Sequence, residues 1–149
     1  MINLGKVKAS HKRFLNAHNA MVRTELEAAA KVGEAHPGKH ATFTHRTHKL
    51  EKSTKGQVIR TSKGGFRVRL SNARKYAAAI DLGAKPHTIT ARRAKNLRFI
   101  VGGKLMFRKT VQHPGNRPYR FLYRATQAAA RVAGANLESG MARAAKAFK

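Results

Sequence analysis

The chain has 149 residues and no cysteine, and 32 Lys and Arg stand against six acids for a formal charge of +26. That length fits one domain burying roughly 70% of its unfolded surface, and the lack of cysteine excludes disulfides, thiolate metal sites and thiol nucleophiles. The charge is spread as +6, +11 and +9 over residues 1–50, 51–100 and 101–149, so it belongs to the body of the protein and attracts polyanions or acidic protein faces.

Met1-Ile2-Asn3-Leu4-Gly5-Lys6 has no apolar run of the kind a secretory signal needs, and nothing approaches a membrane-spanning length. The expected location is the cytoplasm in which the chain is made or a particle assembled there, with no membrane partner. Over residues 9–32, Phe14, Leu15, Met21, Val22, Leu26, Ala29 and Val32 recur near 3.6 spacing, which predicts an amphipathic helix with Ser10 as its cap. Gly33 and His36-Pro37-Gly38 predict its end. Residues 36–56 lack a period and hold only Phe43 and Leu50 as large apolar groups, so they predict a long, basic, mobile loop. Such a segment is either a contact arm or a plain surface loop.

Past the loop the period becomes two. Phe66, Val68 and Leu70 alternate with Arg67 and Arg69, a half-exposed strand preceded by 57–61 across Ser62-Lys63-Gly64-Gly65. Tyr76, Ala78, Ile80 and Leu82 alternate again and predict a strand closed by Gly83. Residues 97–101 and 105–111 flank Gly102-Gly103-Lys104, a tight hairpin. The middle of the chain therefore reads as an antiparallel sheet. After the irregular 113–118, Leu122, Ala125, Ala129, Ala133, Leu137, Met141, Ala144 and Phe148 predict a long terminal helix, with Gly134 and Gly140 marking a kink or a close packing contact. The fold class is α+β: one domain, 1–149, in which an antiparallel sheet is flanked by an N-terminal helix and a long C-terminal helix.

Few residues invite chemistry. His36, His40, His45 and His48 are irregularly spaced and unsupported by cysteine, so they read as solvated histidines and not a zinc site. General acid–base or nucleophilic catalysis needs positioned partners, and Asp81 is the only acid between Glu51 and Glu138. No phosphate-binding glycine loop or nucleophile elbow is present, so no enzyme and no cofactor are expected. Asp81 either pairs with a cation across a sheet or subunit boundary or caps the Leu82-Gly83 turn. Arg67, Arg69, Arg92, Arg93, Lys95 and Arg98 form a candidate patch for phosphates or an acidic partner, although solvated strand faces and loops account for the same residues.

One pattern is more specific. Tyr76-Ala77-Ala78-Ala79-Ile80-Asp81-Leu82-Gly83, Lys85-Pro86-His87-Thr88-Ile89, Leu97-Arg98-Phe99, Gly102-Gly103 and Val111-Gln112-His113-Pro114-Gly115-Asn116-Arg117-Pro118, followed by Phe121-Leu122, stand in this order. The series resembles the family of tail-component proteins of tailed bacteriophages, which act in tail completion and head–tail joining. The likeness covers about a third of the chain and departs from the family at Asp81, where Glu is usual, and at Ala84, where Thr is usual. It implies a virion protein of the neck, working as a homo-oligomeric ring between the head connector or adaptor and the tail tube or terminator, with DNA in its channel. It also implies that Asp81, Gly83, Pro86, His87, His113, Pro114, Gly115 and Pro118 make subunit or partner contacts. A tail terminator capping the tube is the neighbouring alternative. A monomeric nucleic-acid-binding protein is the alternative from another class.

Overall fold

The computed structural model describes residues 4–40, 43 and 47–147. Its elements are α1 (Leu4–Lys39), α2 (Lys49–Lys52), β1 (Thr54–Arg60), β2 (Phe66–Asn72), α3 (Ala77–Leu82), β3 (His87–Thr90), β4 (Leu97–Val101), β5 (Lys104–Arg108), β6 (Thr110–His113) and α4 (Phe121–Ala147). This is the α+β architecture expected, with its strands paired as three two-stranded antiparallel ribbons, β1–β2, β3–β6 and β4–β5. The chain divides into two compact units, one of Met1–Arg74 with Phe121–Lys149 and one of Lys75–Arg120.

The first unit is built on a stripe of small residues. Leu26, Ala29, Ala30, Gly33 and Pro37 are the buried positions of α1, at steps of three and four that place them on one helix face. Facing them on α4 are the buried Phe121, Ala125 and Ala129. The helices run antiparallel, because Gly33 approaches Ala129 while Met21 approaches Gly140 and Arg143 Nη2 lies 2.8 Å from Glu25 Oε1. A Cβ at Gly33 would stand 2.8 Å from Leu70 Cδ1 and 3.1 Å from Ala129 Cβ, so α1 touches both β2 and α4 at this residue. Phe121 closes the end of the core edge-on to Phe43, ring centroids 5.7 Å apart, a geometry that adds about 0.5–1.5 kcal/mol to area burial.

This packing explains why α1 overruns the end predicted at Gly33. Gly33 is needed at the helix crossing, and Pro37 sits in the last turn, where the one ladder bond it removes is lost beside a helix end already short of partners. Burial of the proline ring offsets that loss. The helix also starts six residues before Ser10, which is an interior position and not a cap. At α4 the two interior glycines differ: Gly140 is the close contact, 2.8 Å from Met21 Sδ for an added Cβ, whereas Gly134 has nothing within 4 Å. Phe148, expected to end the stripe, lies outside the described residues.

The segment 36–56, expected as one mobile loop, is regular at both ends. Residues through Lys39 belong to α1, 49–52 form α2, and β1 begins at Thr54. Leu50 and Thr54 are buried and hold α2 to the ribbon: Asn72 Nδ2 donates to Leu50 O at 2.7 Å and to Thr54 Oγ1 at 2.9 Å. Neither periodicity nor composition marks so short a helix. In β1–β2, Thr54, Gly56 and Val58 share a face with Asn72, Leu70 and Val68. Arg67 and Arg69 lie on the exposed opposite face, as the alternation predicts.

β1 crosses α1 at Gly56, where a Cβ would overlap the Ala30 carbonyl oxygen. The same crossing is tied by Glu34, whose Oε2 accepts the Gly56 N–H at 3.0 Å and whose Oε1 accepts Lys55 Nζ at 2.9 Å. The Gly56 N–H first, then Lys55, hold the Glu34 carboxyl below its ordinary value of 4.5.

In the second unit the strand predicted over 76–82 is the helix α3. Alanine carries little of the apolar alternation that suggested a strand, and three consecutive alanines favour a helix. The half-buried Ile80 and Asp81 follow the buried Ala77 at three and four residues, and Leu82 is 75% exposed. The strand predicted over 105–111 breaks at Lys109 into β5, which pairs back on β4 across Gly102-Gly103, and β6, which pairs with β3. Both turn glycines have positive φ, 54° and 78°, as a two-residue hairpin requires.

Replacing Gly56 with alanine is expected to destabilise the protein by about 1–3 kcal/mol, because backbone and not a flexible side chain blocks the new methyl. Gly134→Ala is expected to stabilise it by about 0.5–1 kcal/mol, since the site is open and helical. Urea unfolding of the two variants checks both signs. A carboxyl lowered in the folded state stabilises the fold fully above its unfolded value and loses that contribution as pH falls through the folded one. Stability measured from about pH 5 downward should therefore fall less steeply for Glu34→Gln than for the native chain.

Candidate functional site

The ordered pattern singled out in the sequence lies, apart from its last two residues Phe121-Leu122, in the second unit, where segments distant in sequence are laced together. Ala84 and Asn116 exchange backbone hydrogen bonds, Ala84 N–H to Asn116 O at 3.0 Å and Asn116 N–H to Ala84 O at 2.9 Å. On the same side, the N–H groups of Tyr119 and Arg120 donate to the carbonyls of Ile80 and Asp81, each at 3.0 Å. Four main-chain bonds thus clamp the end of α3 against the 113–120 segment. Asn116 adds a side-chain tie, with Nδ2 donating to Ala79 O at 3.0 Å and to Arg117 O at 3.1 Å.

Gly83 and Gly115 sit on this junction with φ of +83° and +81°. A Cβ at Gly115 would run into the Ala84 carbonyl oxygen, and one at Gly83 would lie 2.9 Å from Asn116 O and 3.0 Å from Pro118 N. Both the left-handed backbone and the close approach demand glycine. Pro86, Pro114 and Pro118 flank the clamp and restrict φ on either side of it.

Beyond the clamp, β3 and β6 pair in the register His87↔His113, Thr88↔Gln112, Ile89↔Val111 and Thr90↔Thr110. The two imidazoles are 5.0 Å apart between centroids. Their Nδ1 atoms take opposite roles: His113 Nδ1 accepts the Gly115 N–H at 3.0 Å, whereas His87 Nδ1 lies 2.8 Å from the Lys85 carbonyl and must donate to it. Each histidine therefore pins its own adjoining turn. Asp81 is on α3 and not at a strand end, and its half-buried carboxylate belongs to the only acid among the eleven Lys and Arg of Lys75–Arg120.

The β4–β5 hairpin offers the other notable surface. On one face Ile100, Leu105 and Phe107 are 71%, 46% and 52% exposed and lie alongside Arg98. Two-stranded hairpins are marginal in water unless a hydrophobic face is covered. Arg92, Arg93 and Lys95 are exposed in the connection leading into β4. Arg67 and Arg69, grouped with them in the sequence, lie in the other unit on the outer face of β2.

The sequence points to the glycines, prolines and histidines of this region but not to Asn116 or to the Ile80 and Asp81 carbonyls. Main-chain acceptors leave no residue-type signal, and only the turn-forming character of Asn beside Gly115 hints at the first. Of the histidines weighed as metal ligands, His36 and His40 have ring centroids 4.9 Å apart, tilted by 39°, and His45 lies outside the described residues. Among the described residues no three His, Asp or Glu side chains converge, and no helix is long and apolar enough to cross a membrane.

No family model matches the chain, and neither a curated protein nor a solved structure matches it.

Gly115→Ala is expected to open the clamp. Hydrogen exchange should show the Ala84 and Asn116 amides losing their protection while the amides of α1 and β1 keep theirs.

Proposed function

We propose that this chain is a structural protein of a tailed-phage particle, a tail-completion or head–tail joining component of the neck, with no catalytic role. The observation that carries the reading is the clamp. Two stretches of the pattern that resembles the tail-component family, with the residues that adjoin them, are held across separations of 32 to 39 positions by four main-chain hydrogen bonds into one stiff support for the loops that follow. A part that must meet its neighbours identically in every copy of a ring needs loops fixed by geometry and not ordered anew at each contact.

Two further features support a surface made to be covered. The β4–β5 hairpin exposes an apolar face of Ile100, Leu105 and Phe107 with Arg98 beside it, and exposed apolar patches mark interaction sites. The charge of +26 opposes association of the free subunits while favouring acidic neighbours or packaged DNA. In the first unit Glu25, Glu27 and Glu34 are engaged with Arg143, Arg23 and Lys55, which commits them to structural work.

Particles assembled without this protein should accumulate as filled heads and separate tails under electron microscopy, and purified particles should contain it at a fixed copy number. A chain carrying Ile100→Ser and Phe107→Ser should fold normally and fail to restore joining. Joined, infectious particles made in its absence would refute the reading.

A further inference from the structure

The basic surface of the first unit contains a built feature that the assembly reading does not use. His36 in the last turn of α1 and His40 just past its end have ring centroids 4.9 Å apart, tilted by 39°, and form a ridge shared by two clefts. One cleft, of about 260 Å³, is lined by both histidines with Arg124, Gln127, Ala128 and Arg131 of α4. The other, of about 350 Å³, is lined by the same histidines with Lys31, Val32, Ala35 and Lys39 of α1. Arg124, Gln127 and Arg131 are spaced at three and four residues, so all three face the histidines from one side of α4.

No carboxylate lines either cleft. Glu34, the nearest acid in sequence to His36, is committed to Lys55 and to the Gly56 amide. The gathered charge is felt locally, since burial first, then His40 and Arg124, push the His36 imidazole below its ordinary value of 6.5. A folded protein seldom collects cations around shared cavities without a counter-charge, because each raises the cost of its neighbours.

We infer that the two clefts on either side of the His36–His40 ridge bind successive phosphate groups of a nucleic-acid backbone. A single free anion needs one cleft. Two clefts sharing a histidine wall, with guanidinium groups on one side and ammonium groups on the other, suit a chain of phosphates crossing the ridge. Gln127 supplies a neutral donor group beside the guanidiniums, and its Nε2 is oriented by a 3.0 Å bond to Tyr123 Oη. No Phe, Tyr or Trp lines the clefts and the charged groups there are all cations, so the contact reads the backbone and not the sequence. The inference stands independently of the neck assignment, since it rests on the first unit alone.

Binding of a labelled short DNA duplex, followed by fluorescence anisotropy across a salt series, tests it with exposed residues whose loss spares the fold. Arg124→Gln with Arg131→Gln should weaken binding about tenfold and lower the salt slope by about 2, one per phosphate contact. Arg60→Gln with Lys63→Gln, which removes the same charge near the β1–β2 turn, should cost clearly less. In the native chain the imidazole C–H resonances of His36 and His40 should move on adding DNA. Equal losses in the two double variants, unmoved histidine resonances, or resonances moved by inorganic phosphate but not by DNA would each overturn the assignment.

Discussion

The first unit depends on how closely α1 can approach its neighbours. Gly33 and Gly56 bring the helix against Leu70, Ala129 and the β1 backbone at distances that a single methyl would obstruct, and Ala29, Ala30, Ala125 and Ala129 carry the same close packing along the α1–α4 interface. Close contact between small side chains recovers dispersion along the whole seam, which matters in a chain with no tryptophan and few aromatic residues. The position of the His36–His40 ridge against α4 follows from it, because His36 lies in the last turn, and His40 is bonded to that turn, of a helix whose placement the small residues set.

Scarce acid shapes the rest. Glu25 bridges α1 to α4, Glu27 bonds within α1, and Glu34 ties α1 to β1, so these carboxylates work inside the fold while most of the cations face outward. An exposed ion pair adds little to stability, but Glu34 also satisfies the Gly56 main-chain amide at the crossing of α1 and β1. Positive charge on the outer surfaces is thus available to whatever binds there. The protein can remain dispersed through self-repulsion until an acidic or phosphate-bearing neighbour compensates it.

The second unit achieves rigidity differently. It has little buried apolar surface, and α3, β3 and β6 are short, so order comes from main-chain hydrogen bonds around two glycines and from prolines that restrict the unfolded chain as well as the folded one. Such a device fixes the direction of loops without a large core. It leaves apolar side chains such as Leu82, Ile100 and Phe107 facing water, which is costly for an isolated subunit and useful for one that is covered by a neighbour.

Residue order alone established the α+β class, the two long helices, the Arg-lined β2 strand and the double-glycine hairpin, because each rests on a local period or a turn residue with one dominant conformation. It also singled out Gly83, Gly115 and the prolines beside them, since residue types with special backbone properties are visible without coordinates, whereas the two histidines of the β3–β6 pair stood out only through the resemblance. Tertiary structure alone decided that α1 runs through Gly33 and Pro37, that 76–82 is helical, and that Leu50 anchors a four-residue helix. In each case burial against a distant segment outweighed the local preference or arbitrated between two weak ones. The clamp between Ala84 and Asn116 and the clefts beside His36 and His40 were beyond local reading for the same reason: they are made where parts of the chain far apart in sequence meet, and no period or spacing records that encounter.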